Sequence, residues 1–266
     1  MAAHYDESYY GENRKKFFPL LQTGIDALNN LKWKRLRPLL SPGDRLLDIG
    51  CGRGTLLRAA QGSGFEAYGI ERPSPVGHSV PGVLYKSLPE CNFPDDYFQV
   101  VVLWHVLEHL PDPIAVLREI RRILKPGGWL SIAVPNYGGA QAKAAGARWF
   151  HLDLPRHFWH FRLASLRTLL AGNGFRIGRV TTFSLEYDWF GNLQSWMNRA
   201  FQDNNRFYAL LKGNEAMPVA AKVGRIMAAA LLSGPALARA LWDGARGEGG
   251  TLVVTAQKVS DGPRQE

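Results

Sequence analysis

The chain has 266 residues, of which 46% are hydrophobic and 21% are charged, and its formal net charge is +9. This length suits one sizeable α/β domain with additions and is too short for two full enzyme domains. The 2 cysteines do not indicate a disulfide framework and favour a reducing, cytoplasmic setting, and the first residues lack the basic and apolar regions of a signal peptide.

The positive charge is concentrated outside one part of the chain. Residues 48–136 carry eight Lys or Arg against nine Asp or Glu, which is −1, whereas residues 137–190 and 191–247 carry +4 each. Such basic segments suit an anionic substrate, an anionic membrane surface or nucleic acid, and they equally suit a solvated surface that keeps a protein soluble. The charge distribution leaves all of these interpretations open.

The N-terminal part of the chain has a helical pattern. Apolar residues at three- and four-residue spacings predict an amphipathic helix over residues 14–40, broken near Pro19. Turn residues follow at 41–44 and lead into an apolar run. We therefore predict a helical N-terminal extension over residues 1–43, with the core of the fold beginning at residue 44.

The most informative segment runs from Leu46 to Gly54. A strand of branched apolar residues carries Asp48 near its carboxyl end, and three alternate glycines follow. Glycine suits a tight turn beneath a ligand, because it tolerates positive φ and has no Cβ to hold the ligand away. The dinucleotide fingerprint G-x-G-x-x-G needs glycine or alanine where Thr55 stands, so the spacing here is the variant G-x-G-x-G. The segment predicts a nucleotide-cofactor turn that enters a helix at Thr55.

Strands and helices alternate after this turn. The predicted strands lie at residues 66–71, 83–85, 98–105 and 129–134. Asp112 and Pro113 suit the N-cap and the first position of a helix. The predicted core-facing stripe of that helix consists of Ile114, Leu117, Ile120, Ile123 and Leu124. This alternation predicts a parallel sheet with helices on both faces.

The second half of the chain completes the predicted sheet. A helix is expected at residues 164–170, a strand at 176–183 and a last strand at 251–257. Between these two strands lie about 65 residues of aromatic and basic helix-like sequence, too long for a simple loop. The fold class is therefore a Rossmann-like doubly wound α/β sheet of about seven strands, with a helical insertion at residues 184–248.

The predicted organisation is a single domain over residues 1–266. After the N-terminal extension it consists of a cofactor-binding core at 44–136, a loop and helix region for the substrate at 137–175, the last two strands with their insertion at 176–258, and a flexible tail at 259–266.

Three ordered segments resemble signatures of the class I S-adenosylmethionine-dependent methyltransferases. They are the glycine turn with Asp48 two residues before its first glycine, the fourth-strand region from Phe93 to Pro113, and the fifth-strand region from Leu124 to Leu130. The resemblance spans residues 46–136 and, less strongly, the last two strands. It implies a methyltransferase that uses S-adenosyl-L-methionine and releases S-adenosyl-L-homocysteine.

Carried over position by position, the resemblance also implies the cofactor contacts. The residues expected around the methionine part all belong to the glycine turn: Asp48, Gly50, Cys51, Gly52 and Gly54. Glu71, at the end of the second strand, is expected to accept hydrogen bonds from the ribose hydroxyls. Ser87 and Leu88 would edge the adenine, and Trp104 and His105 would face the sulfonium.

The acceptor site is expected after the fifth strand, where residues 151–161 resemble a Pro-Arg-His element found in one large subgroup of these methyltransferases. The residues expected to contact the acceptor are Tyr137, Trp149, Arg156 and His157. A base is needed only for a nucleophile that is protonated at working pH, and His157 and His105 are the candidates. The alternative for His157 is a hydrogen bond within a buried loop.

We expect no metal in this segment. Four side chains there have the chemistry of zinc or iron ligands, namely His151, Asp153, His157 and His160. The sequence has neither a cysteine pair nor an H-E-x-x-H helix to support such a site.

Residues 217–242 are helix-prone and apolar with scattered basic residues. They are expected either to lie on an anionic membrane surface or to pack inside the protein. The longest charge-free apolar stretch, Ile226 to Ala238, has 13 residues and falls short of the roughly 20 that a membrane-spanning helix needs.

The predicted activity is methyl transfer to a small-molecule or lipid-linked acceptor, with oxygen favoured by family analogy. The alternatives are a catalytically inactive cofactor-binding module that regulates a partner, and an NAD-dependent oxidoreductase. A nucleic-acid substrate is disfavoured, because the chain lacks the Asn/Asp-Pro-Pro-Tyr/Phe element that flipped-base amino methylation tends to use. The sequence carries no signal for an oligomeric state.

Overall fold

A computed structural model describes residues 31–72 and 80–259 of the chain. Residues 31–36 are helical and continue into the 3₁₀ turn Arg37–Leu39. The strands are β1 Arg45–Ile49, β2 Glu66–Ile70, β3 Val83–Leu84, β4 Phe98–Trp104, β5 Leu124–Pro135, β6 Phe175–Thr181 and β7 Thr251–Lys258. The helices are α1 Thr55–Gln61, α2 Pro113–Ile123, α3 Ala140–Ala145, α4 Leu163–Gly172, α5 Leu185–Phe201, α6 Arg206–Leu211 and α7 Val219–Ala245.

The strands form one sheet in the order β3-β2-β1-β4-β5-β7-β6. Strand β1 runs parallel to both neighbours, with Asp48 opposite Gly69 of β2 and opposite Val102 of β4. The chain moves outward from β1 to β3 and returns to β4 on the other side of β1, so the strand order reverses there. Open α/β sheets bind ligands at the carboxyl ends of the strands on either side of such a reversal. The glycine turn after β1 stands at this position.

The predicted fold class is confirmed by this sheet, and the insertion before the last strand consists of α5, α6 and α7. Residues 1–30 of the predicted N-terminal extension and residues 260–266 of the predicted tail lie outside the described residues.

Strand β5 begins earlier than its sequence pattern indicates. Leu124 pairs with Phe98 and Trp129 pairs with Val100, so the four residues 125–128 bulge out between two paired positions. Residues 124–128, which precede the strand predicted at 129–134, therefore lie inside β5. Strand β6 also differs, because it begins at Phe175 and ends at Thr181.

The predicted inward face of α2 is wrong at its first position. Leu117, Ile120 and Ile123 are fully buried, but Ile114 is 43% exposed. Pro113 is buried in its place. The inward face therefore starts four residues before Leu117, at Pro113, and the next residue points outward.

The chain divides into two compact units. The sheet unit contains the described residues of Lys16–Val134 together with 164–180 and 254–259, and the helical unit contains Pro135–Leu163 and Thr181–Val253. The chain passes from one unit to the other at the end of β5, at the start of α4, at the end of β6 and within β7. The expected single domain and its internal boundaries stay a prediction.

The core of the sheet unit fixes where β1 ends. Leu46 of β1 and Val100 of β4 pack with Leu57 and Ala60 of α1, and all four side chains are buried. Because α1 follows the glycine turn directly, its packing holds the turn against the carboxyl end of β1.

The helical unit contains a buried polar junction. The carboxylate of Asp188 on α5 is 1% exposed and accepts hydrogen bonds from Thr251 Oγ1 at 2.6 Å and from the Gly250 N–H at 3.0 Å. A Cβ at Gly249 would lie 1.8 Å from the carbonyl oxygen of Thr182, so only glycine fits there. The junction joins the first turn of α5 to the start of β7.

Helix α7 packs on α5 over much of its length. Ala236 of α7 lies in a core cluster with Leu193 and Met197 of α5, and the Trp189 indole N–H donates to the Ser233 carbonyl at 3.0 Å. The expectation that this region is too short to span a membrane is wrong, because α7 has 27 residues and a mean hydropathy of 1.2 over its most apolar window. Soluble proteins also contain helices of this length and composition, so these two properties alone do not place α7 in a membrane.

Candidate functional site

The glycine turn has the backbone geometry that the sequence predicts. Gly50, Gly52 and Gly54 have φ values of +76°, +53° and +65°, in the left-handed region that glycine adopts without strain. A Cβ at Gly50 would lie 2.3 Å from Cγ2 of Val106, so no side chain fits at this position. The N–H groups of Gly50 and Cys51 donate to the Ile70 carbonyl at 2.8 and 3.2 Å, which ties the turn to the end of β2.

Gly52 and Glu71 form the open part of the turn. A Cβ added at Gly52 would meet no atom within 4 Å. The Gly52 N–H donates to Oε2 of Glu71 at 2.8 Å, and Oε1 of Glu71 accepts from the Arg72 N–H at 2.9 Å. A carboxylate has about four acceptor positions, so Glu71 holds the turn and keeps capacity for hydroxyl donors.

Asp48 is a buried carboxyl at the carboxyl end of β1, with 7% of its surface exposed. Burial raises its pKa to about 7, with Lys32 opposing the rise and Glu71 adding to it. A buried carboxyl group with such a raised pKa gains or loses its charge near neutral pH. A cation placed beside it would strongly favour the charged form.

Cys51 packs within the turn and is 7% exposed. A Cβ at Gly69 would lie 2.7 Å from its sulfur, so the thiol occupies the space beside β2. Burial and the nearby Asp48 raise the pKa of the Cys51 thiol, which keeps it protonated and unreactive. Within the predicted cofactor site, Cys51 is therefore a packing residue.

The end of β4 lies beside the end of β1. The indole N–H of Trp104 donates to Ser131 Oγ at 3.0 Å, and Nζ of Lys32 lies 5.3 Å from the ring centroid. Both contacts fix the indole plane. Neither partner was anticipated from sequence, because each comes from a distant part of the chain.

His105 occupies an unusual backbone position directly after β4. Its φ is +57°, its N–H donates to the Ala133 carbonyl at 2.8 Å, and Nδ1 lies 3.3 Å from Oε1 of Glu108. The Glu108 side chain is fully buried. A carboxylate at Nδ1 orients an imidazole and stabilises its protonated form. The spacing of three residues between His105 and Glu108 is the sequence signal that could have indicated this contact.

Ser87 and Leu88 follow β3 in a short turn. The N–H and hydroxyl of Ser87 both donate to Oε2 of Glu90, at 2.7 and 2.6 Å, and the Leu88 side chain is 5% exposed. Ser87 thus holds the turn through Glu90. Their contact with an adenine stays a prediction.

The predicted acceptor residues all belong to the helical unit. Trp149 is 2% exposed and its indole N–H donates to Gln141 Oε1 at 2.9 Å, so the structure places it in the packed interior. Tyr137 is 40% exposed, with ring centroids of Trp149 and His160 at 5.9 and 5.5 Å. Of these two aromatic residues, only Tyr137 offers a surface to a ligand.

Arg156 and His157 both contact Asp153. The Arg156 guanidinium forms an ion pair with Oδ1 of Asp153, and Nε2 of His157 lies 3.8 Å from Oδ2. Nδ1 of His157 is 2.8 Å from the His151 carbonyl, and the ring is buried. Nδ1–H therefore donates to that carbonyl and leaves Nε2 with the lone pair, as a general base requires.

A small cavity in the helical unit was missed by the sequence analysis. Its volume is about 100 Å³, and its lining includes Gln141, Asn192, Ser195, Trp196, Arg199 and Arg239. These residues come from α3, α5 and α7, whose side chains no local pattern brings together. The cavity is much smaller than the usual 300 Å³ or more of a ligand pocket, and it could hold a few waters or a small anion.

The features of the sheet unit fit a nucleotide cofactor. An open glycine turn, a carboxylate at the end of β2 and a buried carboxyl at the end of β1 meet at one reversal of strand order. Such an arrangement can accept hydrogen bonds from a diol and attract a positive charge. These features define the class of Rossmann-like enzymes that bind a nucleotide-type cofactor at the carboxyl ends of parallel strands.

A family model described as a methyltransferase domain matches residues 3–180. The match covers well over half of the chain, and the chain belongs to this methyltransferase family. The cofactor of the family is S-adenosyl-L-methionine, as the resemblance predicted.

The curated relatives carry related activities in their names. A ubiquinone biosynthesis O-methyltransferase of Thiobacillus denitrificans is 32% identical over 139 residues, which cover 47% of this chain and 60% of the relative. A 2-phytyl-1,4-naphtoquinone methyltransferase of Synechococcus elongatus is 34% identical over 119 residues, covering 38% and 51%. The chain thus spans between half and two thirds of the length of these relatives.

Solved structures share the fold at lower identity. The [4+2]-cyclase SpnF has a TM-score of 0.58 and 22% identity, with 94% of this chain and 86% of that chain covered. Phosphoethanolamine N-methyltransferase 2 of Haemonchus contortus, solved with S-adenosyl-L-methionine, has a TM-score of 0.55 and 20% identity, with coverages of 87% and 52%. At such identity the likeness shows the fold alone, and one of the two is named for a cyclisation.

Proposed function

We propose that the protein transfers the methyl group of S-adenosyl-L-methionine to an oxygen atom of a small-molecule or lipid-linked acceptor. The observation that carries the proposal is the joint geometry of Asp48, the glycine turn and Glu71 at the reversal of strand order. The preference for oxygen is supported by the names of the ubiquinone biosynthesis O-methyltransferases among the relatives.

The residues of the sheet unit would hold the cofactor. Glu71 would accept from the ribose hydroxyls, the open backbone at Gly52 would lie along the methionine part, and Asp48 would face its positive charge. Bound S-adenosyl-L-methionine supplies an electrophilic methyl group. Because displacement at that carbon is in line, the main task of the protein is to align the acceptor oxygen about 3 Å away.

A hydroxyl acceptor also has to lose a proton. His105 and His157 each have an oxygen near Nδ1, from Glu108 and from the His151 carbonyl. The hydrogen bond of His157 sets the tautomer in which Nε2 carries the lone pair, and the nearby Glu108 carboxyl favours the same tautomer of His105. We propose that one of the two accepts the proton from the acceptor hydroxyl, which typically contributes 10²–10⁴-fold to the rate.

Calorimetric titration tests the cofactor site. We expect S-adenosyl-L-homocysteine to bind and NAD to give no heat. Glu71→Ala should weaken binding by at least about tenfold, because it removes the ribose acceptor and releases the Gly52 N–H. Glu66→Ala, which removes another acid from the same strand, is the matched control and should bind as the wild type does.

Transfer of an isotope-labelled methyl group tests the reaction. The protein is incubated with labelled cofactor and with phenolic acceptors or their amine counterparts, and the label should appear on oxygen. Label on nitrogen or carbon would refute the oxygen assignment. Tight binding of S-adenosyl-L-homocysteine with no transfer to any acceptor class would instead support the regulatory module.

A further inference from the structure

Helix α7 presents a wide apolar face to solvent. Its most exposed large side chains are Leu231 at 78%, Val219 at 76%, Met227 at 68%, Trp242 at 60% and Ile226 at 57%. A surface helix of a globular protein ordinarily turns such residues toward the core. An exposed apolar surface of this extent marks an interaction site.

Two charged side chains of α7 face the protein. Arg225 is 9% exposed and pairs with Asp203 at 2.5 Å, while Asp243 is 3% exposed and accepts from the Arg239 guanidinium at 2.8 and 2.9 Å. The buried face of α7 thus carries these two charges beside the apolar Ala229, Leu232 and Ala236, while the exposed face carries large hydrocarbon side chains. An ordinary surface helix would turn those large apolar side chains inward.

Basic residues border the apolar face. At about 100° per residue, Lys222 and Arg239 fall at its opposite edges, and Arg246 follows the last turn. The Arg246 guanidinium lies 5.7 Å from the ring centroid of Trp242. Within α7, all of which the structure describes, the one acidic residue is the buried Asp243, and beyond the helix Glu248 lies 3.6 Å from the Arg246 guanidinium. An apolar stripe with cationic edges and a tryptophan near its end complements an anionic lipid surface.

We propose that α7 is a membrane-docking helix, which lies parallel to an anionic bilayer with its exposed apolar face among the lipid chains. The apolar side chains would leave water on binding, and the basic edges would meet the lipid phosphates. The proposal does not depend on methyl transfer, since it rests on the surface of the helical unit alone.

A spanning orientation fits the same helix less well. It would require the lipid to surround the buried ion pairs of Arg225 and Asp243, which now lie against α5 and its neighbours, and charged groups are costly in the bilayer centre. A second copy of the chain would bring two basic surfaces together, because residues 191–247 carry seven Lys or Arg against three Asp or Glu.

Vesicle co-sedimentation of the full chain tests the docking surface. The vesicles are phosphatidylcholine mixed with phosphatidylglycerol, against pure phosphatidylcholine, at low salt. The test variant is Met227→Glu/Leu231→Glu, at two highly exposed positions in the middle of the face. The matched control is Ile114→Glu/Val259→Glu, which places the same two charges on exposed apolar residues of the sheet unit, at 43% and 47% exposure.

We expect the wild type and the control to bind the anionic vesicles, and the α7 variant to lose at least about tenfold in partitioning. Lys222→Gln/Arg246→Gln should weaken binding to anionic vesicles by about fivefold per residue and leave binding to neutral vesicles unchanged. Circular dichroism checks that every variant keeps the wild-type helix content.

Four outcomes would overturn the proposal. One is a wild type that does not sediment with anionic vesicles at low salt, and another is an equal loss of binding in the control. The third is a dimer, measured by light scattering, that the α7 variant splits while vesicle binding persists, since the face would then join two copies. Resistance of the membrane-bound protein to a carbonate wash would refute the parallel orientation in favour of a spanning helix.

Discussion

Two carboxylates near the glycine turn differ in their surroundings. Asp48 is buried and its pKa rises to about 7, whereas Glu71 accepts hydrogen bonds from two backbone N–H groups. Glu71 thus has a fixed position, and Asp48 has an ionisation state that depends on what is bound beside it. The fixed position of Glu71 suits recognition of hydroxyl groups, and the variable charge of Asp48 suits recognition of a cation.

Cofactor affinity should therefore depend on pH through Asp48. The sulfonium and ammonium groups of S-adenosyl-L-methionine favour the ionised carboxyl, so binding releases a proton wherever Asp48 is protonated beforehand. Affinity should increase by up to about tenfold per pH unit below pH 7 and level off above it. Calorimetry from pH 5.5 to 8.5 measures this, and Asp48→Asn should remove the dependence. A pH-independent affinity in the wild type would contradict the assignment.

Residues of the site could be predicted from sequence where one short segment carries them. Asp48, the three glycines and Glu71 follow from a strand end, a turn and a second strand end, and the structure brings them together. The packing of Trp149 against Gln141 and of Trp104 against Ser131 could not be predicted, because these contacts depend on tertiary placement.

Helix α2 shows how local sequence signals determine an element. The Asp112 side chain accepts from the Ala115 N–H at 2.9 Å, and Pro113 occupies the first helical position, where its missing N–H leaves no bond unmade. Both features were predicted. The exposed Ile114 was not, because hydrophobic spacing alone does not show which residue of the first turn packs inward.

Removal of this cap should cost stability without affecting the fold. Asp112→Ala leaves the first N–H groups of α2 without their side-chain acceptor and should lower the free energy of unfolding by about 1 kcal/mol. Urea unfolding monitored by circular dichroism measures the loss. Asp112→Ser retains an acceptor oxygen and should remain close to the wild type. Equal losses in the two variants would show that the cap does not contribute.

Stability of the whole molecule should fall between pH 4 and pH 7. Burial raises the pKa of Asp188 to about 7, and Asp48 is raised to a similar value. In this window each carboxyl binds a proton in the folded chain and not in the unfolded chain, so unfolding releases protons and becomes easier as pH rises. The stability that these two protonated carboxyls contribute is complete below the ordinary aspartate pKa and is lost above pH 7.

Urea unfolding at pH 5 and pH 8 measures this change. Asp188→Asn should reduce the difference in unfolding free energy between pH 5 and pH 8 by roughly 2 kcal/mol, since unfolding no longer releases a proton from residue 188. Asp95→Asn, an exposed side chain of the sheet unit, is the control and should leave the difference unchanged. A wild type that gains stability from pH 5 to pH 8 would contradict the direction.

At the level of the whole fold, the doubly wound sheet and the insertion could be predicted, because alternating strands and helices constrain topology strongly. The exposed apolar face of α7 could not, since the sequence of this helix is compatible with a buried helix and with an exposed one. Its orientation follows from tertiary contacts, namely the ion pair of Arg225 with Asp203 and the packing of Ala236 against α5.

The connection between β6 and β7 has an evolutionary consequence. These strands are neighbours in the sheet, and the family model ends at residue 180, close to where β6 ends. A segment inserted between two adjacent strands leaves every other strand pair in place, and the entropy of closing such a loop grows only slowly with its length. Residues 182–250 can thus diverge, lengthen or be exchanged between lineages while the inherited glycine turn is preserved.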